Sequence, residues 1–225
     1  MIPGRTCPAD YTIGKNAFVA VTGEYDSAYI IGGLYGNREA LRAIKEMQRR
    51  ETELTSSEPV LIFNGDTHWF DYRYRDFIEI EKAISGDIRL LGNVEAEMRR
   101  DDDIGAGCGC SYPYSTSDEA VERSNEIHLK LKKVASSHAD VVKALNERDA
   151  VTSVKAGGIK VAVTTETRSL SPDGDVEHRR LIGGSYNARI KISRQRLYMA
   201  KENRRRICRG GRSPLRYDGV SEMVR

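Results

Sequence analysis

The chain has no apolar run of about 18 residues, the length a membrane-spanning helix needs, so no span is expected. Its first residues, Met1-Ile2-Pro3-Gly4-Arg5-Thr6-Cys7-Pro8, hold no apolar h-region. No secretory signal is therefore expected, and a cytoplasmic location is the default. Four Cys among 225 residues do not make a disulfide framework. None is needed: a chain of this length can bury a core without disulfides or a structural metal. The basic C-terminal stretch lacks interleaved aromatics and any recognisable nucleic-acid module.

What is present is divided by charge. Residues 165–225 carry 15 Lys and Arg against 7 Asp and Glu, a net of +8, while the rest carries 21 against 26, a net of −5. Arg outnumbers Lys 13 to 2 in the C-terminal stretch but only 12 to 9 before it. Three parts follow: an N-terminal extension over 1–24, a domain over 25–165, and a basic Arg-rich tail over 166–225 with no assigned fold.

The middle part reads β-α-β-α-β. Ala28-Tyr29-Ile30-Ile31 is a strand, and Arg38 to Glu51 a helix with Leu41, Ile44 and Met47 on one face. Val60-Leu61-Ile62-Phe63 is a continuous apolar run, as in a strand buried on both faces. A second helix is expected near 75–85 with Phe77, Ile80 and Ile84 inward, and a third strand over Ile88-Arg89-Leu90-Leu91. That order predicts parallel strands with helical crossovers, an α/β fold. Residues 101–117 read as a loop, and 118–149 as mostly helical with a break near Ser136-Ser137. Val151–Lys155 and Ile159–Thr164 alternate around Gly157-Gly158, a hairpin. Beyond Thr164 no comparable alternation is read.

The chemistry sits where the three strands stop, at Gly32-Gly33-Leu34-Tyr35-Gly36-Asn37, Asn64-Gly65-Asp66-Thr67-His68-Trp69-Phe70-Asp71 and Leu91-Gly92-Asn93-Val94-Glu95. Open α/β sheets bind ligands at the carboxyl ends of their strands. Asp66 places a carboxylate at that edge, suited to a hard or borderline cation; a turn Asp is the plain alternative. Asn93 stands in the equivalent place and offers an amide oxygen, or simply occupies a turn. His68 is a ligand or an acid–base group if it faces the site, and otherwise a solvated loop His. Trp69 and Phe70 are read as packing the loop. Gly36-Asn37 precedes a helix, so its N–H groups suit a phosphate, or merely a tight turn. Cys108-Gly109-Cys110 is spaced too closely for the usual zinc pair and reads as free loop cysteines.

These motifs resemble the calcineurin-like metallophosphoesterase superfamily. Gly36-Asn37-Arg38-Glu39-Ala40-Leu41 matches the segment after its first motif, Asn64-Gly65-Asp66 its second, and Gly92-Asn93-Val94-Glu95 its third. The resemblance spans about residues 25–165. It implies an α/β sandwich of two sheets flanked by helices, with a divalent metal pair of the manganese, iron or zinc class. It gives Asp66 the bridging ligand role and Asn93 a ligand role. Gly33 and Tyr35 stand where the first motif has Asp and His, and Val94 where the third has its proton-donating His. Glu95, Tyr35 and His68 are the available substitutes. The later His motifs are missing: Thr165-Glu166-Thr167 stands in the place of the first, and His178 has an unrelated context. If the Thr164 codon ends in C and Thr165-Glu166-Thr167 is ACG-GAG-ACN, reading one nucleotide earlier gives His-Gly-Asp; on that hypothesis residues 166–225 are a candidate for out-of-frame or disordered sequence, and the second half of the sandwich is expected to be incomplete.

The implied function is hydrolysis of a small phosphoester or nucleotide by metal-activated water, in an impaired site holding one cation or none. The alternative is a non-catalytic descendant that binds a metal, a nucleotide or a protein. A basic-tailed nucleic-acid binder is the weaker third reading.

Overall fold

The computed structural model describes residues 8, 20–102, 104–110, 112 and 115–165, together with the backbone of 181–182, 188–193 and 197–201. In chain order the elements are β1 (Gly23–Tyr25), β2 (Ser27–Ile31), α1 (Arg38–Thr55), β3 (Val60–Phe63), α2 (Tyr74–Ala83), β4 (Ile88–Arg89) and α3 (Asn93–Arg99). Then come α4 (Asp118–Ser137), α5 (Ala139–Asn146), β5 (Val151–Ala156), β6 (Ile159–Thr164), β7 (Leu181–Ile182), β8 (Ala188–Ser193) and β9 (Leu197–Lys201). The class is α/β. No helix among the described residues is long and apolar enough to cross a membrane.

Two sheets form, one ordered β4-β3-β2-β8-β9 and the other β1-β5-β6-β7. β2, β3 and β4 are parallel neighbours, as the β-α-β-α-β order requires. Their side chains alternate between two cores. Ala28, Ile30, Ile62 and Leu90 meet Val154, Ala156, Val161 and Val163 of the other sheet. Ile31, Leu61 and Phe63 point the opposite way, onto Leu41 and Ile44 of α1 and onto Ile80 and Ile84 of the α2 region. Both faces of β2 and β3 are thus covered, which explains their unbroken apolar runs. Each such side chain, once fully buried, contributes about 1.5–3 kcal/mol. A third cluster joins α3, α4 and α5 through Val94, Met98, Leu131, Val134, Val141 and Leu145, with Phe77 of α2.

The expected hairpin is present: β5 and β6 pair antiparallel around Gly157 and Gly158, both at positive φ. The break between α4 and α5 falls at His138. On α1, Gln48 takes the buried position instead of Met47, its Nε2 donating to the Pro59 carbonyl at 2.9 Å. β1 begins two residues before the boundary drawn at 25, and pairs with β5.

Three elements, α3, β8 and β9, differ from the sequence reading. α3, a helix of seven residues, is too short to show a period. β8 and β9 lie in the stretch where no alternation was read, and β8 pairs antiparallel with β2 from Ser27 opposite Ser193 to Ile31 opposite Arg189. The alternation of Arg189-Ile190-Lys191-Ile192-Ser193 is only two apolar residues deep, and its charges belong visually to the basic tail. The expectations for residues 166–180, including His178, and for 202–225 lie outside the described residues.

Candidate functional site at three strand ends

The loops that follow β2, β3 and β4 are bonded to one another. Tyr35 and Gly36 donate their backbone N–H groups to the carbonyls of Asp66 and Thr67, at 3.0 and 2.7 Å. The backbone N–H groups of Asp66, Thr67 and His68 in turn donate to the Glu95 carboxylate at 2.8, 2.7 and 3.2 Å. Gly92 adds a fourth at 3.0 Å, the N-terminal capping bond of α3. A buried carboxylate is stable there because backbone donors replace its water. Glu95 is therefore the anchor of the β3 loop and not a substitute ligand.

Close approach is built into the glycines. A Cβ on Gly65 would lie 2.6 Å from Gly92 Cα, and one on Gly92 would collide with Asp66 N and Oδ1. Asp66 is thereby seated against the residue that precedes Asn93. Asp66 has φ 51° and Tyr35 φ 54°, a left-handed backbone that non-glycine residues seldom adopt. Such conformations, held by surrounding bonds, concentrate at functional sites.

Two further groups, Tyr35 and Cys110, feel the Asp66 charge, and Asn93 bonds to the second of them. The Tyr35 hydroxyl has its pKa raised by burial, and then by the negative charge of Asp66, Cys110 and Glu95. The Asn93 amide donates from Nδ2 to the Cys108 carbonyl at 2.9 Å and to Cys110 Sγ at 3.2 Å. The Cys110 thiol is pushed up by its hydrogen bond with Cys108, by burial and by the charges of Cys108 and Asp66. Cys108 and Cys110 thus lie against the third strand end. Asn64 completes the edge: its Nδ2 donates to the Thr164 carbonyl at 3.2 Å, while its Oδ1 is buried with no hydrogen-bond partner among the described residues. An amide oxygen left in that state costs about 1–3 kcal/mol unless something electropositive meets it.

Asp66 and Asn93 thus belong to neighbouring segments of one assembled edge. His68 does not join them. It is fully buried and stacks on Phe77 with ring centroids 4.0 Å apart. Its Nδ1 lies 2.8 Å from Asp71 Oδ2, and its Nε2 lies 3.0 Å from both Glu81 Oε1 and Arg148 Nη2. Protein groups occupy both ring nitrogens, so the structure assigns His68 to the core, neither ligand nor solvated loop residue. Arg148, also buried, pairs with Glu81, and Arg89 reaches the same carboxylate at 2.7 Å. Burial alone would raise the Glu81 pKa; the His68 hydrogen bond and the charges of Arg148, His68 and Arg89 outweigh it and hold the group down at about 2.

Asn37 is a helix cap: its Oδ1 accepts from the Ala40 N–H at 2.9 Å. The Gly36 N–H is spent on Thr67 and the Asn37 N–H on the Leu34 carbonyl. These two N–H groups do not form a phosphate cradle, so the tight-turn alternative accounts for the motif. Trp69 packs against the helical cluster, while Phe70 stays half exposed.

Glu81 and Arg148 went unread in the sequence, where each is one charged residue on an exposed-looking stretch. Glu95 had a signal, the Gly-x-x-Glu spacing of a capped helix start.

Among the described residues no three His, Cys, Asp or Glu side chains gather as a metal-holding group. The oxygen donors at the edge are one carboxylate and two amides, from Asp66, Asn93 and Asn64. With the Asn64 oxygen buried and unsatisfied, that set fits one divalent cation. Among the described residues, the first-motif and third-motif positions offer no donors for a second cation, since Gly33 has no side chain and Val94 is packed in the helical cluster. Compared with known families and curated proteins, the chain matches no family model and no curated protein.

Proposed function

We propose that this chain is a metallophosphoesterase-like protein that binds one divalent cation through Asp66 and Asn93 and hydrolyses a small phosphoester or nucleotide. The observation that carries this reading is the close approach of Gly65 and Asp66 to Gly92, the residue before Asn93, at the carboxyl edge of a parallel sheet. The facing sheets, with helices over the outer face of one of them, support the sandwich of that superfamily as the finer description of the fold.

Asp66 and Asn93 hold the cation, and Asn64 Oδ1, two residues before Asp66 and buried without a hydrogen-bond partner among the described residues, is a further oxygen. A divalent cation bound there lowers the pKa of a bound water and neutralises phosphoryl charge. Tyr35, beside Asp66 with its proton held firmly, is suited to donate a hydrogen bond to a phosphoryl oxygen. Glu95 keeps the β3 loop in position and touches no substrate.

The test is metal content and turnover together. The purified chain is expected to bind about one equivalent of manganese, iron(II) or zinc and to hydrolyse an aryl phosphate ester, with both lost in Asp66→Ala. Metal content no higher than in that variant would sink the reading. The burial of Val94, 2 % exposed where the superfamily has its proton donor, favours one second reading: a non-catalytic descendant. Stoichiometric metal without turnover selects it.

A further inference from the structure

We infer that Cys110 supplies a sulfur ligand to the cation at Asp66 and Asn93, so that the site selects the zinc class over manganese or magnesium; this rests on the metal site proposed above. Two bonds from one amide pin the loop over 101–117 to Asn93: the Cys108 carbonyl at 2.9 Å and Cys110 Sγ at 3.2 Å. The second places a sulfur directly on a side chain already assigned to the cation. The Asp66 charge also acts on both Cys110 and Tyr35.

The two cysteines are not equivalent. Cys108 is fully buried and offers Asn93 its carbonyl. Cys110 is less enclosed and offers its sulfur. An N–H donated to a metal-bound sulfur is a common outer-shell contact that steadies the thiolate. The Asn93 Nδ2 already makes that bond. Coordination would release the thiol proton to solvent as the cation binds. The donor change also has a consequence for preference. Carboxylate and amide oxygens alone suit magnesium or manganese, whereas one thiolate moves the site toward zinc and iron(II). The loop from the far side of α3 thereby supplies a ligand in a site whose first motif holds Gly33 and Tyr35 in place of Asp and His.

Cobalt(II) serves as the probe, because thiolate ligation gives a charge-transfer band in the near ultraviolet that oxygen ligation does not. The full-length, metal-stripped chain titrated with cobalt is expected to develop that band together with its visible d–d bands, saturating at the same equivalent. Cys110→Ser should lose the near-ultraviolet band while keeping the visible ones, and Cys108→Ser should keep both. In zinc–manganese competition, Cys110→Ser should also lose the preference for zinc. Visible bands that vanish in Asp66→Ala, with no charge-transfer band in the unaltered chain, would overturn the sulfur ligand and leave the metal site standing. No cobalt bound at all would overturn the site itself. A band that follows Cys108 instead of Cys110 would overturn the assignment made here.

Discussion

At the residue scale, Glu95 organises the site without entering its chemistry. One carboxylate accepts four backbone N–H groups from the β3 loop and from Gly92. Gln keeps the shape but turns half of that acceptor into a donor facing N–H groups. Glu95→Gln is expected to lower unfolding stability by about 3 kcal/mol or more, since hydrogen bonds to charged groups are each worth about 1.5–3 kcal/mol. Urea denaturation measures it; a loss under about 1 kcal/mol would mean the loop does not depend on this carboxylate. Gly92 makes a complementary case. Its φ of −85° and ψ of 174° suit any residue, so the collisions with Asp66 and with Glu95 Oε2 are what penalise a side chain there. Gly92→Ala should cost about 1–3 kcal/mol through overpacking and weaken metal binding, because Asp66 must move. Unchanged metal affinity in a folded Gly92→Ala protein would break the link between this contact and the site.

At the element scale, the start of α1 separates capping from ligand binding. Asn37 caps Ala40, and the preceding N–H groups are bonded within the loops. Asn37→Ala should therefore cost about 1 kcal/mol of stability and leave the KM for a phosphoester unchanged. A raised KM at unchanged stability would restore the phosphate role. The same element shows how periodicity misleads by one residue. The inward stripe reads as Leu41, Ile44 and Met47, yet Gln48 is the buried one because the Pro59 carbonyl satisfies its amide. α1, α2 and the hairpin were legible because each repeats its pattern over several residues. α3 was not, because seven residues make two turns, and its cap is a relation between Gly92 and Glu95 that also has to reach the β3 loop.

At the scale of the whole molecule, buried titratable groups set how stability follows pH. His128 is 4 % exposed on α4, and burial, aided by Lys132, pushes its pKa down from 6.5 to about 4. The unfolded chain binds this proton first, so stability rises with pH through that window. His128 favours the fold fully above about pH 6.5, and that contribution falls away as pH drops toward 4. Between pH 7 and 5 the loss is about 2 kcal/mol. His128→Leu should flatten that segment of the pH–stability curve, and an unchanged slope would show that His128 is not the group responsible. Glu81 acts lower: its depressed pKa adds stability above about 4.5 that is lost as pH falls toward 2. Stability is thus expected to fall with acid in two pH windows, the first set by His128 and the second by Glu81.

The chain's order of apolar runs and polar strand ends was enough to specify parallel β2, β3 and β4 with their crossovers, because a buried strand leaves a contiguous record in sequence. It also marked the Asp66 and Asn93 ends, since a Gly followed by a small polar residue at a strand end is a local signal. What no local pattern carried was how buried charges pair. His68, Glu81 and Arg148 are spread over 80 residues, and only folding brings them to one point where each satisfies another's charge. The bond between Asn93 and Cys110 is of the same kind. Hydrogen bonds between distant side chains depend on the three-dimensional approach of their elements, and that approach made His68 a core residue, Asn37 a cap, and the three strand ends one connected edge.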